Sequence, residues 1–241
     1  MTVVLALARH TFLDALRERA FYVLVLFGAV LLGASRLLSP LALGEGRRVT
    51  LDLGLGLTAL CGFMLIALLG TRMVHKEIER KTILVILAKP VRRVEFLLGK
   101  FLGLVAVLAL SLGIMILLLG GVLLLSGYAV DASLGVAGLY AFLELVIVAA
   151  LAMVLTAFTS PVLAAFFLVG LYIVGHLATS LTDLANMMPD AWMGKLVGVL
   201  FVLLPRLDLY SYTLEVVHGV TPAVPQLVYA LGYAAIYSAA A

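Results

Sequence analysis

Glu144 is the residue whose type and setting could best do chemistry, because it is the one acid the sequence sets well inside a long apolar run. A carboxyl in hydrocarbon is costly to ionise, so it faces a bundle interior and counts by default as a candidate site. Two readings stand. Either the carboxyl lines a path through the membrane, or it is protonated and bonded to a neighbouring helix, for which Tyr140 one turn away is suitably spaced. A second candidate is the polar stripe Tyr172, His176, Thr179 and Asp183, which helical spacing puts on one face. Such stripes stitch helices together or line a passage. Residue counting sets Glu144 and His176 in the outer half of their spans, which allows them to approach each other.

Other chemistries lack their residues. No G-x-x-x-x-G-K-[ST] phosphate loop is present; Gly99-Lys100 and Gly194-Lys195 miss both the upstream glycine and the following hydroxyl. The run His75-Lys76-Glu77-Ile78-Glu79 begins like a zinc-protease motif but has no second histidine at i+4. His10, His75, His176 and His218 lie at separated depths, which argues against paired haem ligation. The single cysteine, Cys61, sits in an apolar run and reads as small filler, so no intrachain disulfide or thiolate cluster is available. An intramembrane enzyme is disfavoured, since no paired acids, Ser/His set or metal cluster falls within the spans.

The elements that position these residues are membrane helices. The 241 residues are 65% hydrophobic and 12% charged, with a mean hydropathy of +1.24, too oily for a water-solvated domain. A formal charge of +3 is small and localised, and argues against a nucleic-acid binder. Crossing hydrocarbon takes about 20 apolar residues in helix. On that measure the spans are 20–38, 53–73, 97–126, 134–159, 161–183 and 225–241, the last being short for a full crossing. The breakers Ser39-Pro40, Gly44-Glu45-Gly46-Arg47-Arg48, Gly127 to Ser133 and Thr159-Ser160-Pro161 separate them. Residues 20–34 have the length of a signal-peptide core, but the region before them is long, amphipathic and carries Asp14 and Glu18.

Residues 1–19 are amphipathic, with Val4, Leu5, Ala8, Phe12, Ala15 and Leu16 on one face and His10, Asp14, Arg17 and Glu18 on the other. They read as an interfacial helix, or as an extension of the first span. Within 184–224, Leu196 to Leu204 is too short to cross and reads as an external re-entrant or interfacial segment, with Trp192, Tyr210 and Tyr212 as headgroup-level anchors. The expectation is an all-α polytopic membrane protein of about six spans, forming one domain over 1–241.

Half of the sixteen basic residues fall between Arg72 and Lys100. Together with Arg9, Arg17 and Arg19 they outweigh Arg36, Arg47, Arg48, Lys195 and Arg206, which places 1–19 and the loop 74–96 in the cytoplasm. From His75 to Ala88 the loop can form a helix: Glu77 and Lys81 are an i, i+4 pair, and Ile78, Thr82, Val85 and Ile86 make an apolar stripe. Pro90 stops it. The stripe packs on the protein's own helices or enters a partner's groove, and an ordinary solvated loop is the alternative.

The segment Lys76-Glu77-Ile78-Glu79-Arg80-Lys81-Thr82, then Lys89-Pro90-Val91 and Arg93-Val94-Glu95-Phe96-Leu97-Leu98-Gly99-Lys100, resembles the first cytoplasmic loop of ABC-2-type transporter permeases. Ala8-Arg9-His10-Thr11-Phe12 is similar to the start of that family, and Leu204-Pro205-Arg206-Leu207-Asp208-Leu209 with His218-Gly219 to its segment before the last span. Among its subgroups, permeases for copper-enzyme maturation look nearest. The resemblance implies a six-span permease, an exporter in a bacterial or archaeal cell membrane with its N-terminus inside. It implies pairing with a second permease copy, as a homodimer, and with two ABC ATPase subunits. ATP and magnesium would belong to those subunits, and this chain would bind no cofactor or metal and be no enzyme itself. The loop would be the coupling helix, with Lys76, Glu77, Glu79, Arg80, Lys81 and Thr82 in the ATPase cleft and Lys89, Pro90, Arg92 and Arg93 supporting them. Glu144, Tyr172, His176 and Asp183 would lie along a substrate path. The competing reading is a structural subunit that anchors a soluble complex to the membrane without transport of its own.

Overall fold

The computed structural model describes residues 2–38, 45–73, 92–177, 180, 183, 207–210 and 224–240. Among them are seven α-helices and one 3-10 turn, and no strand. In chain order the helices are α1 (Thr2–Arg17), α2 (Arg19–Leu38), α3 (Gly46–Met73), α4 (Arg93–Leu125), α5 (Ala132–Phe158), α6 (Pro161–His176) and α7 (Val224–Ala240); the turn Leu207–Tyr210 precedes α7. Helices α3, α4 and α5 are each long and apolar enough to cross a membrane, while α2 and α6 are shorter apolar helices. Lipid offers no hydrogen bonds to a backbone, so a chain this oily must satisfy its peptide groups within helices. The polar side chains of α3 follow the same rule, with Thr50, Thr58 and Thr71 donating to the carbonyls of Gly46, Gly54 and Ala67.

Helix α4 shows how the bundle divides its surface. It is apolar all round, yet Leu104, Leu108, Leu112, Leu119 and Leu123 are buried while Leu117 and Leu124 on the opposite side are exposed. One stripe meets other helices and the other is left for lipid. The helix starts where the Glu95 carboxylate accepts the backbone N–H of Arg92 at 3.0 Å. It stops at Gly127, whose φ of 78° closes the last turn. There Tyr128 N–H reaches Leu123 O and Gly127 N–H reaches Leu124 O, both at 3.0 Å.

Two helices begin four or more residues before the starts expected from hydropathy. Helix α3 starts at Gly46 instead of 53, because Arg47 and Arg48 are held by Asp131 and Glu45 and so sit in its first turn without breaking it. Helix α4 starts at Arg93 instead of 97, so Arg93 through Phe96 prolong the span. Helix α6 runs unbroken only to His176, ahead of residue 183.

Helix α3 is not uniform: Ile66–Gly70 forms a π-helical turn, in which the Thr71 N–H reaches back to the Ile66 carbonyl. Helix α1 packs on the start of α4. A Cβ added to Gly99 would lie 2.6 Å from Leu7 Cβ, and one added to Gly103 would lie 2.5 Å from Thr11 Cβ and 2.8 Å from the Ala8 carbonyl. Only hydrogen fits at either position, so the G-x-x-x-G spacing is a true close approach. The seam on α1 runs through Val4, Leu7, Ala8 and Thr11, whereas Leu5, expected on the same apolar face as Val4 and Ala8, is 72% exposed.

Candidate functional site

The start of α3, the start of α5 and the end of α6 lie at one end of the bundle, opposite the end where α1 meets α4. Arg47 of α3 and Asp131 at the N-cap of α5 form an ion pair there. Between these helices and the Leu207–Tyr210 turn is a cavity of about 290 Å³. Helix α3 lines it with Asp52, Leu55, Gly56 and Ala59, which one helical face must carry together. Helix α5 adds Ala137, Ala141 and Glu144, and α6 adds Tyr172 and His176.

Glu144 is 4% exposed. The Tyr172 hydroxyl hydrogen-bonds to its carboxyl from the neighbouring helix. His176 Nε2 stands 3.4 Å from Glu144 Oε1, which is ion-pair range, but Oε1 accepts no hydrogen bond. The two observations agree if the imidazole faces that oxygen off the hydrogen-bonding line. His176 Nδ1 is 3.1 Å from the Tyr172 carbonyl, one helical turn back. A carbonyl only accepts, so Nδ1 carries hydrogen and a neutral ring would turn a bare Nε2 lone pair toward Oε1. Bare nitrogen against carboxylate is repulsive, so the arrangement calls for one proton held between Glu144 and His176, whichever atom carries it. Ring contacts fix the imidazole: Tyr172 lies 4.5 Å from it and Phe63 of α3 lies 4.3 Å from Tyr172, centroid to centroid.

Of the four residues expected along a path, the structure brings Glu144, Tyr172 and His176 together. Asp183 is exposed and does not line the cavity. Tyr140, the neighbour expected to bond Glu144, is buried instead with its ring 6.4 Å from that of Tyr210. Tyr210, expected as a headgroup anchor, is 2% exposed and donates to the Ala230 carbonyl of α7 at 2.7 Å. That tether pins the 3-10 turn as one wall of the cavity. Burial holds its phenol above the ordinary tyrosine range.

Asp52 falls outside the set expected from hydropathy. A span starting at 53 excludes it, although the spacing 52, 55, 56, 59 would have shown one face of a helix extended to Gly46. Among the described residues no group of three or more His, Cys, Asp or Glu is arranged to hold a metal ion. Cys61 is buried where α2, α3 and α4 meet.

Of the loop residues, Arg92 is exposed just before α4 and Arg93 begins that helix. Lys76, Glu77, Glu79, Arg80, Lys81, Thr82, Lys89 and Pro90 lie outside the described residues, as do Thr179, Trp192, Tyr212 and the 196–204 run.

A family model described as ABC-2 family transporter protein matches residues 5–240 of the chain. No curated protein matches it.

Proposed function

The chain belongs to the ABC-2 transporter family, and from that premise we propose that it is an exporter permease driven by a separate ABC ATPase. It is the membrane component of an ABC transporter, and its matched region, residues 5–240, includes nearly all of the bundle and the basic loop. The observation that carries the rest is the place of that loop. Residues 74–91 join the end of α3 to the start of α4, two helices that each can cross a membrane, at the end of the bundle where α1 docks.

In this reading six spans cross a cell membrane with the N-terminus and loop inside, as the basic-residue excess favours. Two permease copies pair with two ATPase subunits, which supply the ATP and magnesium sites. Lys76, Glu77, Glu79, Arg80, Lys81 and Thr82 enter the ATPase cleft, with Lys89, Pro90, Arg92 and Arg93 at the elbow behind them. ATP closes the ATPase pair, the docked loop moves with it, and α3 and α4 tilt as levers between two states. Glu144, Tyr172 and His176 are then reached by substrate from the cavity.

Reversing the charges of Glu79 and Arg80 should abolish stimulation of the partner ATPase while membrane insertion is unchanged. Full stimulation with both reversals in place would defeat the coupling role. Sealed vesicles holding both subunits and ATP separate a transporter from an anchor, since an anchor gives no substrate-dependent turnover.

A further inference from the structure

We propose that the cavity between α3, α5 and α6 binds a small organic ammonium ion. This rests on the permease reading for its role as a substrate site, but not for the binding itself.

The lining is one-sided in charge. Among the described residues that line the space, Asp52 and Glu144 are acids on facing helices, His176 is the one base, and there is no lysine or arginine. With a single proton shared by Glu144 and His176 that pair is neutral, and Asp52 leaves the cavity with a net negative charge. Glu144 lines the cavity, and its Oε1 is buried and accepts no hydrogen bond. Such an atom costs stability unless a ligand donor reaches it in some state of the protein. A donor that is also a cation satisfies both features.

The rest of the lining describes the ligand's body. Leu55, Ala59, Ala137 and Ala141 are apolar and mostly small, and the aromatic side chains Tyr172 and Tyr210 complete the lining. A volume of about 290 Å³ suits a molecule of modest size and far exceeds a bare ion. Among the described residues no metal-holding cluster exists, so Asp52, Glu144 and His176 are too dispersed to close on a metal ion. An ammonium group with an apolar or aromatic body fits that spread.

With the Glu144–His176 pair neutral and Asp52 carrying one negative charge, a single ammonium ion brings the lining to neutrality. The other ionisable groups near Glu144 are Asp52 on α3, Tyr172 on α6, Tyr140 on α5 and Tyr210 on the 3-10 turn, with Tyr233 of α7 behind Tyr210. On α4 the charged Glu95 and Lys100 sit at the opposite end of the bundle.

The test is calorimetric titration of the full-length purified protein with 2-phenylethylammonium, for which saturable binding is expected. Uncharged 2-phenylethanol, Glu144→Gln and Asp52→Asn should each weaken binding about tenfold or more. Asp52 is exposed, so its variant keeps the fold even if Glu144→Gln perturbs packing. Equal affinity for the alcohol, unchanged affinity in both variants, or no saturable binding by the folded parent would each overturn the proposal. Stimulation of the partner ATPase is measured on the same preparation. If it persists while binding is absent, the cation site falls and the permease reading stands. Binding without any ATPase response would leave the cation site standing and remove its role as a substrate site.

Discussion

His176 Nε2 and Glu144 Oε1 face each other at 3.4 Å across the contact between α5 and α6, with the imidazole anchored through Nδ1 to the Tyr172 carbonyl. The pair is therefore a structural bond between two helices as well as a polar wall of the cavity. His176→Phe keeps the ring contact with Tyr172 but strands the acid, and should lower stability by about 1–3 kcal/mol. Adding Glu144→Gln to that variant should recover most of the loss. Thermal melts of the four proteins in a double-mutant cycle give the coupling, and strict additivity would show that the two residues do not interact.

Gly103→Val should push α1 off α4, because the new side chain meets Thr11 and the backbone carbonyl of Ala8, which cannot move aside alone. The expected cost is about 1–3 kcal/mol from overpacking. A reporter cysteine at Thr11, buried in the parent, should become reactive to maleimide in the variant after Cys61 is replaced by serine. Unchanged protection of that cysteine would contradict the seam.

Tyr210→Phe removes the hydroxyl that holds the 3-10 turn to the Ala230 carbonyl and should cost about 1 kcal/mol. Proteolysis near residues 207–210 should quicken in the variant, since that turn loses its tether to α7.

Arg47→Ala is expected to change stability by less than about 1 kcal/mol, despite the close ion pair with Asp131. Both side chains are partly open to solvent, at 30% and 58%, so water replaces most of what the pair provides. A larger drop in melting temperature would mean that the pair holds α3 and α5 together.

Sidedness can be read directly. In a Cys61→Ser background, a cysteine at Lys81 should react with an impermeant maleimide only after the cells are opened, and one at exposed Glu45 should react in intact cells. The opposite pattern would invert the topology.

The sequence carried the helical class well, because runs as apolar as 97–126 and 134–159 have no other stable form in lipid. It carried helix ends less well, for a physical reason visible in α3. Arg47 and Arg48 look like a break in a hydropathy count, yet Asp131, far along the chain, neutralises one of them and lets the helix begin at Gly46. That shift is what hid Asp52 from the candidate site. Glu144 and His176 were legible singly, since charge in an apolar run needs a reason. Tyr172 as the hydroxyl partner, in place of Tyr140, required knowing which helix stands beside α5. Likewise the spacing of Gly99 and Gly103 is only a weak packing signal in a glycine-rich span, and nothing in it named Leu7 and Thr11 as the surface approached.

The wide turn at Ile66–Gly70 has a geometric effect beyond its own residues. One extra residue in a turn swings everything after it by about 100° around the helix axis. Thr71 to Met73, and the direction in which the chain leaves α3, are thus set by a π-helical turn in the hydrophobic part of the protein. Deleting a single residue from Ile66–Gly70 would leave the length of the span almost unaltered and yet steer the charged segment toward a different side of the bundle.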